Sequence, residues 1–395
     1  MISLDEALAI VCAEARPLGT EPVPVIEARR RTLAEPVIAE VDSPPADVSA
    51  MDGYALRDAE LADGRMRFTV AGESFPAAGF AGTAGPGECV RIFTGAPIPQ
   101  GLDRVVIQEN VRRDGDVAVI ETMPSASRHI RTRGSDFTTG EILLKAGRLL
   151  DARALVAAAG ADLDTVTVWR RPQISVLGTG DELVEPGRAK AKPGAIPESL
   201  SPGVAALAAD WGGALAARYR LRDDPAVIEA AAAEALEQTD LVVVTGGASV
   251  GEKDFAKSVF ARLGLELLFS QVAIRPGKPV WFGRARGKLV IGLPGNPTSA
   301  LVTARLLLAP LVAGLAGRDP ARALRWFSVP LAGDLPPCGD RETLIRGQWS
   351  GEAVAPLSNQ DSGSQKTIAD ADLLIRHPAG APARKAGERV TVLEL

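Results

Sequence analysis

Leu241-Val242-Val243-Val244-Thr245-Gly246-Gly247-Ala248-Ser249-Val250-Gly251-Glu252-Lys253-Asp254 is the stretch on which the fold turns. Its first five residues form a short, unbroken, β-branched run, which reads as a strand covered on both faces, the habit of parallel sheets. The run stops at a glycine pair, where the backbone can turn sharply. Two more apolar runs do the same. Ile174–Leu177 leads into Gly178-Thr179-Gly180-Asp181-Glu182-Leu183, and Leu289–Leu293 into Pro294-Gly295-Asn296-Pro297. Helical apolar spacing is found around them at Gly203–Trp211, Pro225–Leu236, Phe255–Leu263 and Pro297–Ala316. Strands alternating with helices predict an α/β unit with a parallel sheet, from roughly Val168 to Gly317.

Outward from this unit the pattern changes. Ser3 followed by Glu6 is a capping-box signature, and Leu4, Leu8, Val11, Cys12 and Ala15 fall on one stripe of a first helix. Between about Asp42 and Gly147 short β-rich runs such as Met66–Val70 and Val105–Ile107 predict a separate lobe. There the pair Asp114-Gly115 makes a hairpin turn joining Val105–Arg113 to Val117–Glu121. Asp151 caps a short helix over Ala152–Ala159, closed by Gly160. After Asp319-Pro320 helical spacing vanishes, and runs such as Thr343–Ile345 and Val390–Leu393 predict a small β-domain.

The bulk properties agree with a multidomain enzyme. A chain of 395 residues, 46% hydrophobic, exceeds one ordinary core and divides into about two to four domains. The 40 glycines and 29 prolines are scattered among apolar runs, which makes them turn formers rather than a sign of disorder. A formal charge of −5 excludes a general nucleic-acid binder, which needs a basic face. Cys12, Cys89 and Cys338 are too far apart in sequence for a zinc ribbon or a disulfide framework. With only His129 and His377, in different predicted domains, a histidine triad is excluded as well. The first residues lack a signal-peptide pattern and no run approaches the ~18 apolar residues needed to span a bilayer. The expectation is a cytoplasmic protein without membrane or nucleic-acid partners.

In an open α/β sheet, ligands bind beyond the carboxyl ends of the strands. A single glycine-rich loop is no more than a tight turn, but three at equivalent positions point to phosphate. Glycines let backbone amides converge on oxygens, and Thr179, Ser249 and Asn296 add donors. The helix after Pro297 offers its N-terminal amides to an anion. Arg275 and Lys278, in Arg275-Pro276-Gly277-Lys278-Pro279, supply charge for the same ligand. Asp181, Glu182, Asp223 and Asp254 are hard oxygen donors suited to Mg²⁺ bridging phosphates, the arrangement that cleaves a phosphoanhydride.

These loops, with Ser49-Ala50-Met51-Asp52-Gly53-Tyr54-Ala55 and Arg91-Ile92-Phe93-Thr94-Gly95-Ala96-Pro97-Ile98-Pro99, resemble the molybdopterin molybdenumtransferases, a family that includes MoeA and the C-terminal domain of gephyrin. The resemblance covers nearly the whole chain. It implies an α/β multidomain fold: a central MogA-like three-layer α/β domain (1–19 plus 168–318), a β-rich N-terminal lobe (42–140), an extended dimerisation or linker domain (20–41 plus 141–167) and a small C-terminal β-barrel-like domain (319–395). It also implies a homodimer whose cleft pairs the α/β domain of one subunit with the lobe of the other. Asp52, Thr94 and Asp136 match the family's functional positions in the lobe, and Glu182, Asp223, Asp254 and Lys278 those in the α/β domain. Glu182 and Asp254 are the metal candidates. Gly178, Thr179, Asp181, Gly246, Gly247, Ser249, Gly251, Arg275, Pro294, Gly295, Asn296 and Pro297 would hold the ligand.

The implied activity is insertion of molybdate into adenylylated molybdopterin with release of AMP, downstream of a molybdopterin adenylyltransferase. Two alternatives are an adenylyltransferase built on the same α/β domain and a non-catalytic scaffold of gephyrin type. The adenylyltransferase branch usually shows Gly-Gly-Thr-Gly after the strand, against Gly-Gly-Ala-Ser here. Two positions depart from the family: Arg275 stands where a lysine is common, and Ile196-Pro197-Glu198-Ser199-Leu200 replaces an Ile-x-Asp-Ser-Asn stretch.

Overall fold

The computed structural model describes residues 1–246 and 255–395. Its central sheet has six strands: β1 (Gln173–Thr179), β2 (Ala214–Leu221), β3 (Leu241–Thr245), β4 (Glu266–Phe269), β5 (Trp281–Ala285) and β6 (Lys288–Leu293), in the order β2-β1-β3-β6-β5-β4. β2, β1, β3 and β6 run parallel. β5 and β4 add an antiparallel edge. The sequence does not announce β2, because its alternating Ala-Arg-Tyr-Arg pattern is that of an edge strand with one wet face.

Strand pleating sorts the core into two halves. Leu241 and Val243 of β3 point to the cluster that also holds Leu4, Val204 and Leu306. Val242 and Val244 point to the one with Ile228, Ala232 and Phe260. Helices α1 (Leu4–Glu14), α2 (Leu200–Asp210) and α5 (Pro297–Leu315) therefore cover one face, and α3 (Pro225–Gln238) and α4 (Phe255–Arg262) the other. The capping box is present: Ser3 Oγ accepts from Glu6 N at 3.2 Å, and Ser3 N donates to Glu6 Oε2 at 2.7 Å.

One expectation is corrected. α5 is 19 residues long with mean hydropathy 1.6, enough by length and composition to cross a bilayer. Its window is 94% buried, so α5 is apolar because it is the core helix between α1, α2 and the sheet.

A second six-stranded sheet, Arg104–Ile107, Gly53–Leu56, Glu88–Ile92, Arg67–Ser74, Val117–Ile120 and Val111–Asp114 in that order, builds the N-terminal lobe. The hairpin at Gly115 joins Val111–Asp114 to Val117–Ile120, while Arg104–Ile107 is a separate strand beside Gly53–Leu56. A smaller core combines Val23, Leu33 and Val37 with Leu150, Ala154 and Val168, so two distant segments share it.

The C-terminal sheet runs Ile274–Arg275, Glu342–Ser350, Leu373–His377, Arg389–Glu394, Phe327–Pro330, with Ala353–Pro356 beside Glu342–Ser350. A bridge from Leu331 to Val354, where Ala332 N donates to Val354 O at 2.8 Å, brings the end of Phe327–Pro330 back to Ala353–Pro356 and curls the sheet into a small barrel. Its first strand comes from the α/β unit itself: Ile274 and Arg275 pair with Glu342 and Thr343.

The strand leading to the third loop is held by a close fit. Gly292 of β6 lies opposite the fully buried Trp281, and a Cβ at 292 would stand 2.0 Å from the indole. Gly292→Ala is expected to destabilise the α/β unit by about 1–3 kcal/mol through overpacking. Combining it with Trp281→Leu should return part of that loss, read as non-additive shifts in unfolding temperature. Additive shifts would contradict the fit.

Candidate functional site

Parallel register puts the three sequence-predicted loops side by side. Gly178 of β1 pairs with Thr245 of β3, and Thr245 with Leu293 of β6, so the chain leaves all three strands at one height. The connection from β1 reaches β2 on one side, while β3 lies on the other. The loops diverge there and open a crevice, the place where ligands bind in such sheets.

Close approach of these loops depends on glycine. Gly246 has φ +88°, and a Cβ on it would sit 2.5 Å from the carbonyl oxygen of Thr179. A Cβ on Gly295 would lie 3.4 Å from Gly246 Cα, so the third loop rests on the second. The resulting cleft has a volume of about 520 Å³. Thr179, Glu182, Asp223, Gly246, Gly295, Asn296 and Pro297 line it. Asp181 stands beside it, accepting from Asp223 N at 3.2 Å and tying the loop after β1 to the one after β2. Gly178 lies within β1, one residue before its end, and Pro294 is the buried first residue of the third loop. Gly247, Ser249, Gly251 and Asp254 lie outside the described residues.

Two features of the cleft were not anticipated from sequence. Glu198, within the divergent Ile196–Leu200 stretch, is only 2% exposed. Its carboxylate accepts from Leu200 N at 3.0 Å, Ser201 N at 2.9 Å, the Ser201 hydroxyl and Arg218 Nη1 at 3.2 Å. It thus fastens the first turn of α2 under the cleft, as expected of an acid at a helix N-terminus.

The second is the C-terminal wall. Gly363 and Gln365 line the cleft, Asn296 Nδ2 donates to Ser362 Oγ at 3.0 Å, and Thr298 N donates to Ser362 O at 3.0 Å. One N-terminal amide of α5 is therefore spent on this wall rather than offered to a ligand. The polar run Asn359–Gln365 was the available signal.

Arg275 and Lys278 do not line the cleft. They sit on the turn that pairs with Glu342–Thr343, and a Cβ on Gly277 would meet Thr303 of α5 at 2.3 Å, so the turn is pressed onto that helix. Close by in charge is Arg346, 1% exposed. Burial first, and then the charge of Arg275, lower its pKa to about 10. Its Nη1 and Nη2 reach backbone oxygens only at 3.4 Å, and among the described residues its buried Nε has no partner.

Asp52, Thr94 and Asp136 sit on the N-terminal lobe, and none lines the cleft of its own chain. Asp52 Oδ1 accepts from Thr94 N at 2.8 Å and from Thr94 Oγ1 at 2.9 Å. Those two bonds, the amide first, hold its carboxyl below the usual range, with the Arg91 charge adding to them. Asp136 is exposed at the turn whose amide donates to Ser43 O at 2.9 Å.

Three known families match the chain in series. They are described as the MoeA N-terminal region (domain I and II) over residues 2–161, a probable molybdopterin binding domain over 175–314, and the MoeA C-terminal region (domain IV) over 328–395. A molybdopterin molybdenumtransferase of Haemophilus influenzae is 38% identical over 368 residues, which is 92% of this chain and 90% of that protein. One from a Nostoc species is 32% identical over 389 residues, 95% and 89% of the two. The crystal structure of a molybdopterin biosynthesis MoeA protein from Pyrococcus horikosii superposes with a TM-score of 0.83 at 29% identity, covering 100% of this chain and 99% of that one. Matched along its length by sequence and by fold, the chain belongs to the molybdopterin molybdenumtransferase family.

Proposed function

We propose that the chain performs the metal-inserting step of molybdenum-cofactor biosynthesis. It binds molybdopterin whose phosphate is linked to AMP, takes up molybdate and releases AMP. Family membership supports the molybdenum transfer. The observation that carries the phosphate-bearing substrate is the convergence of three glycine-bearing strand ends on one cleft of about 520 Å³. In this reading Gly178, Thr179, Asp181, Gly246, Gly295, Asn296 and Pro297 cradle the anionic ligand, with Gly247, Ser249 and Gly251 completing the second loop.

The described residues hold no group of three His, Cys, Asp or Glu that would cage a metal by themselves. Mg²⁺ rarely asks for such a cage: one or two carboxylates with substrate phosphates and water suffice. Glu182, whose Oε2 would lie 3.0 Å from a Cβ on Gly180, provides a hard oxygen at the cleft, and Asp254 is proposed as its companion. When bound, Mg²⁺ neutralises charge on the phosphoanhydride. The chain's own part is to orient that bond and to keep Asp223 and Thr179 around it.

Molybdate, a substrate, suits the cationic corner of Arg275, Lys278 and Arg346. The unspent Nε of Arg346 and its repulsion with Arg275 are both relieved by an oxyanion between them. In this reading water attacks the phosphoanhydride to give AMP and the pterin phosphate monoester, and the two dithiolene thiols bond to molybdenum as one molybdate oxygen leaves as water with their two protons.

The site is completed in a homodimer by the partner subunit's Asp52, the partner subunit's Thr94 and the partner subunit's Asp136. Support comes from their absence from the cleft of their own chain. A second support is an apolar ribbon, where Ile38 pairs with Ile142 while both stay about half exposed, 44% and 54%. The shared core of residues 23–39 and 150–168 supports treating 20–41 plus 141–167 as the dimerisation unit. The reaction is placed in the cytoplasm, after the adenylyltransferase that supplies the substrate.

Glu182→Ala and Asp254→Ala should each lower AMP release and molybdenum incorporation together by about 100-fold. Near-normal rates in both would remove the metal proposal. Mixing inactive Asp52→Ala and Glu182→Ala chains should restore about a quarter of normal activity, because half the dimers then carry one intact composite site. Failure to complement, with mixed dimers verified, would put the site within one chain.

Asp52, its carboxyl held below the usual range by the Thr94 amide and hydroxyl, stays charged through that range and loses its charge only on acidification below it. Thr94→Val keeps the amide bond and removes the hydroxyl bond. It should move the acidic limb of kcat/KM to higher pH, and an unmoved limb would mean that this charge is not used.

A further inference from the structure

A cavity larger than the strand-end cleft lies elsewhere on the chain. A space of about 850 Å³ opens where α2, α5 and the C-terminal barrel meet the segment around Arg30. Among the described residues five arginines line it, Arg30, Arg305, Arg318, Arg322 and Arg325, against two side-chain carboxylates, Glu394 and Asp210, the latter paired with Arg30 at 2.9 Å. Such an excess of guanidinium in a concave, partly apolar space is the pattern of a phosphate-binding pocket.

Two of the arginines are placed at evident cost. Arg305, 7% exposed, lies in the π-helical segment Ala304–Leu308 that interrupts α5. Such interruptions re-aim side chains and gather at functional sites. The guanidinium lies 5.2 Å from the Trp211 ring centroid, and its Nε and Nη1 donate at 2.8 Å to the backbone oxygens of Glu394 and Ala323. Arg318 donates through Nη1 to Asp210 O at 3.0 Å and through Nη2 to Arg30 O at 3.1 Å. Its Nε is buried without a partner among the described residues.

Burial lowers both pKa values to about 10, helped at Arg318 by the charges of Arg30 and Arg171. Both stay cationic at neutral pH. No carboxylate is bonded to either guanidinium, an unfavourable state for a buried cation that a bound anion corrects.

We infer that this cavity is a second ligand site, separate from the strand-end cleft, for a small organic phosphate. Its phosphoryl oxygens meet Arg318, Arg322 and Arg325, and its carbon body lies on Leu207, Phe327 and Leu393. α5 is common to both sites, starting at the third loop of the cleft and carrying Arg305 at its π-helical segment.

The test is calorimetric titration of the intact protein with phenyl phosphate and, separately, inorganic phosphate. Phenyl phosphate should bind more tightly than inorganic phosphate. Arg322→Glu with Arg325→Glu, both exposed positions, should weaken it by at least about tenfold while the melting temperature holds. Arg275→Ala with Lys278→Ala should leave it within about twofold. Three results overturn the site: no binding of phenyl phosphate at millimolar concentration, binding that survives the double charge reversal, or binding lost only with Arg275 and Lys278. Equal affinity for the two probes overturns the organic half of the assignment. If sedimentation shows the dimer parting in the charge-reversed protein while the unaltered protein binds neither probe, the cavity is a subunit contact and the inference falls.

Discussion

Backbone hydrogen bonds along β1, β3 and β6 hold Gly178, Thr245 and Leu293 level, and the cleft exists because they do. A slip of one residue in any of the three would turn its side chains to the opposite face. Val243 would exchange clusters with Val242, and the loop would lift away from its neighbours. The two cores enforce the register from both sides, and Gly246 and Gly295 exploit it. The missing side chain of Gly246 avoids a collision with the Thr179 carbonyl, and Gly295 then rests on the Gly246 backbone. Packing deep in the sheet and openness at its edge are therefore one arrangement.

The second determinant is the C-terminal barrel. It pairs with Ile274–Arg275, walls the cleft through Gly363 and Gln365, and brings the buried Arg346 within electrostatic reach of Arg275. Leu344, Leu374 and Leu393 share a cluster with Ile174 and Leu306, so the barrel is joined to the α/β unit by apolar contact as well as by strand pairing. Arg275 and Arg346, close in charge, thus come from two units joined by strand pairing and apolar packing.

What could be read in the sequence was whatever local pattern decides. The buried strand Leu241–Thr245 has one reading, and glycine after such a strand has a conformational reason that survives without any partner. The helices from Leu200 to Leu315 follow from apolar spacing within a residue or a few. β2 was missed because half its residues face water. Glu198, Arg346 and the Ser362 wall were missed because their meaning lies in contacts over long sequence separations: Thr298 with Ser362, or Arg275 with Thr343. No periodicity encodes such pairs. Asp52 and Thr94 became visible through resemblance, since an acid before glycine and a threonine after a strand read locally as a turn and a strand end.

The pairing of Ile274–Arg275 with Glu342–Thr343 has a consequence for the order in which the molecule is made. A ribosome adds residues at about 5–20 per second, so the turn bearing Arg275 and Lys278 waits several seconds for the strand that fixes it. The glycine loops can take shape before then, while their cationic neighbour has no partner. A nascent or truncated chain would thus hold a folded sheet while the turn bearing Arg275 and Lys278 still lacks the strand that pins it, and the cleft gains its Gly363–Gln365 wall only when the last domain has left the ribosome.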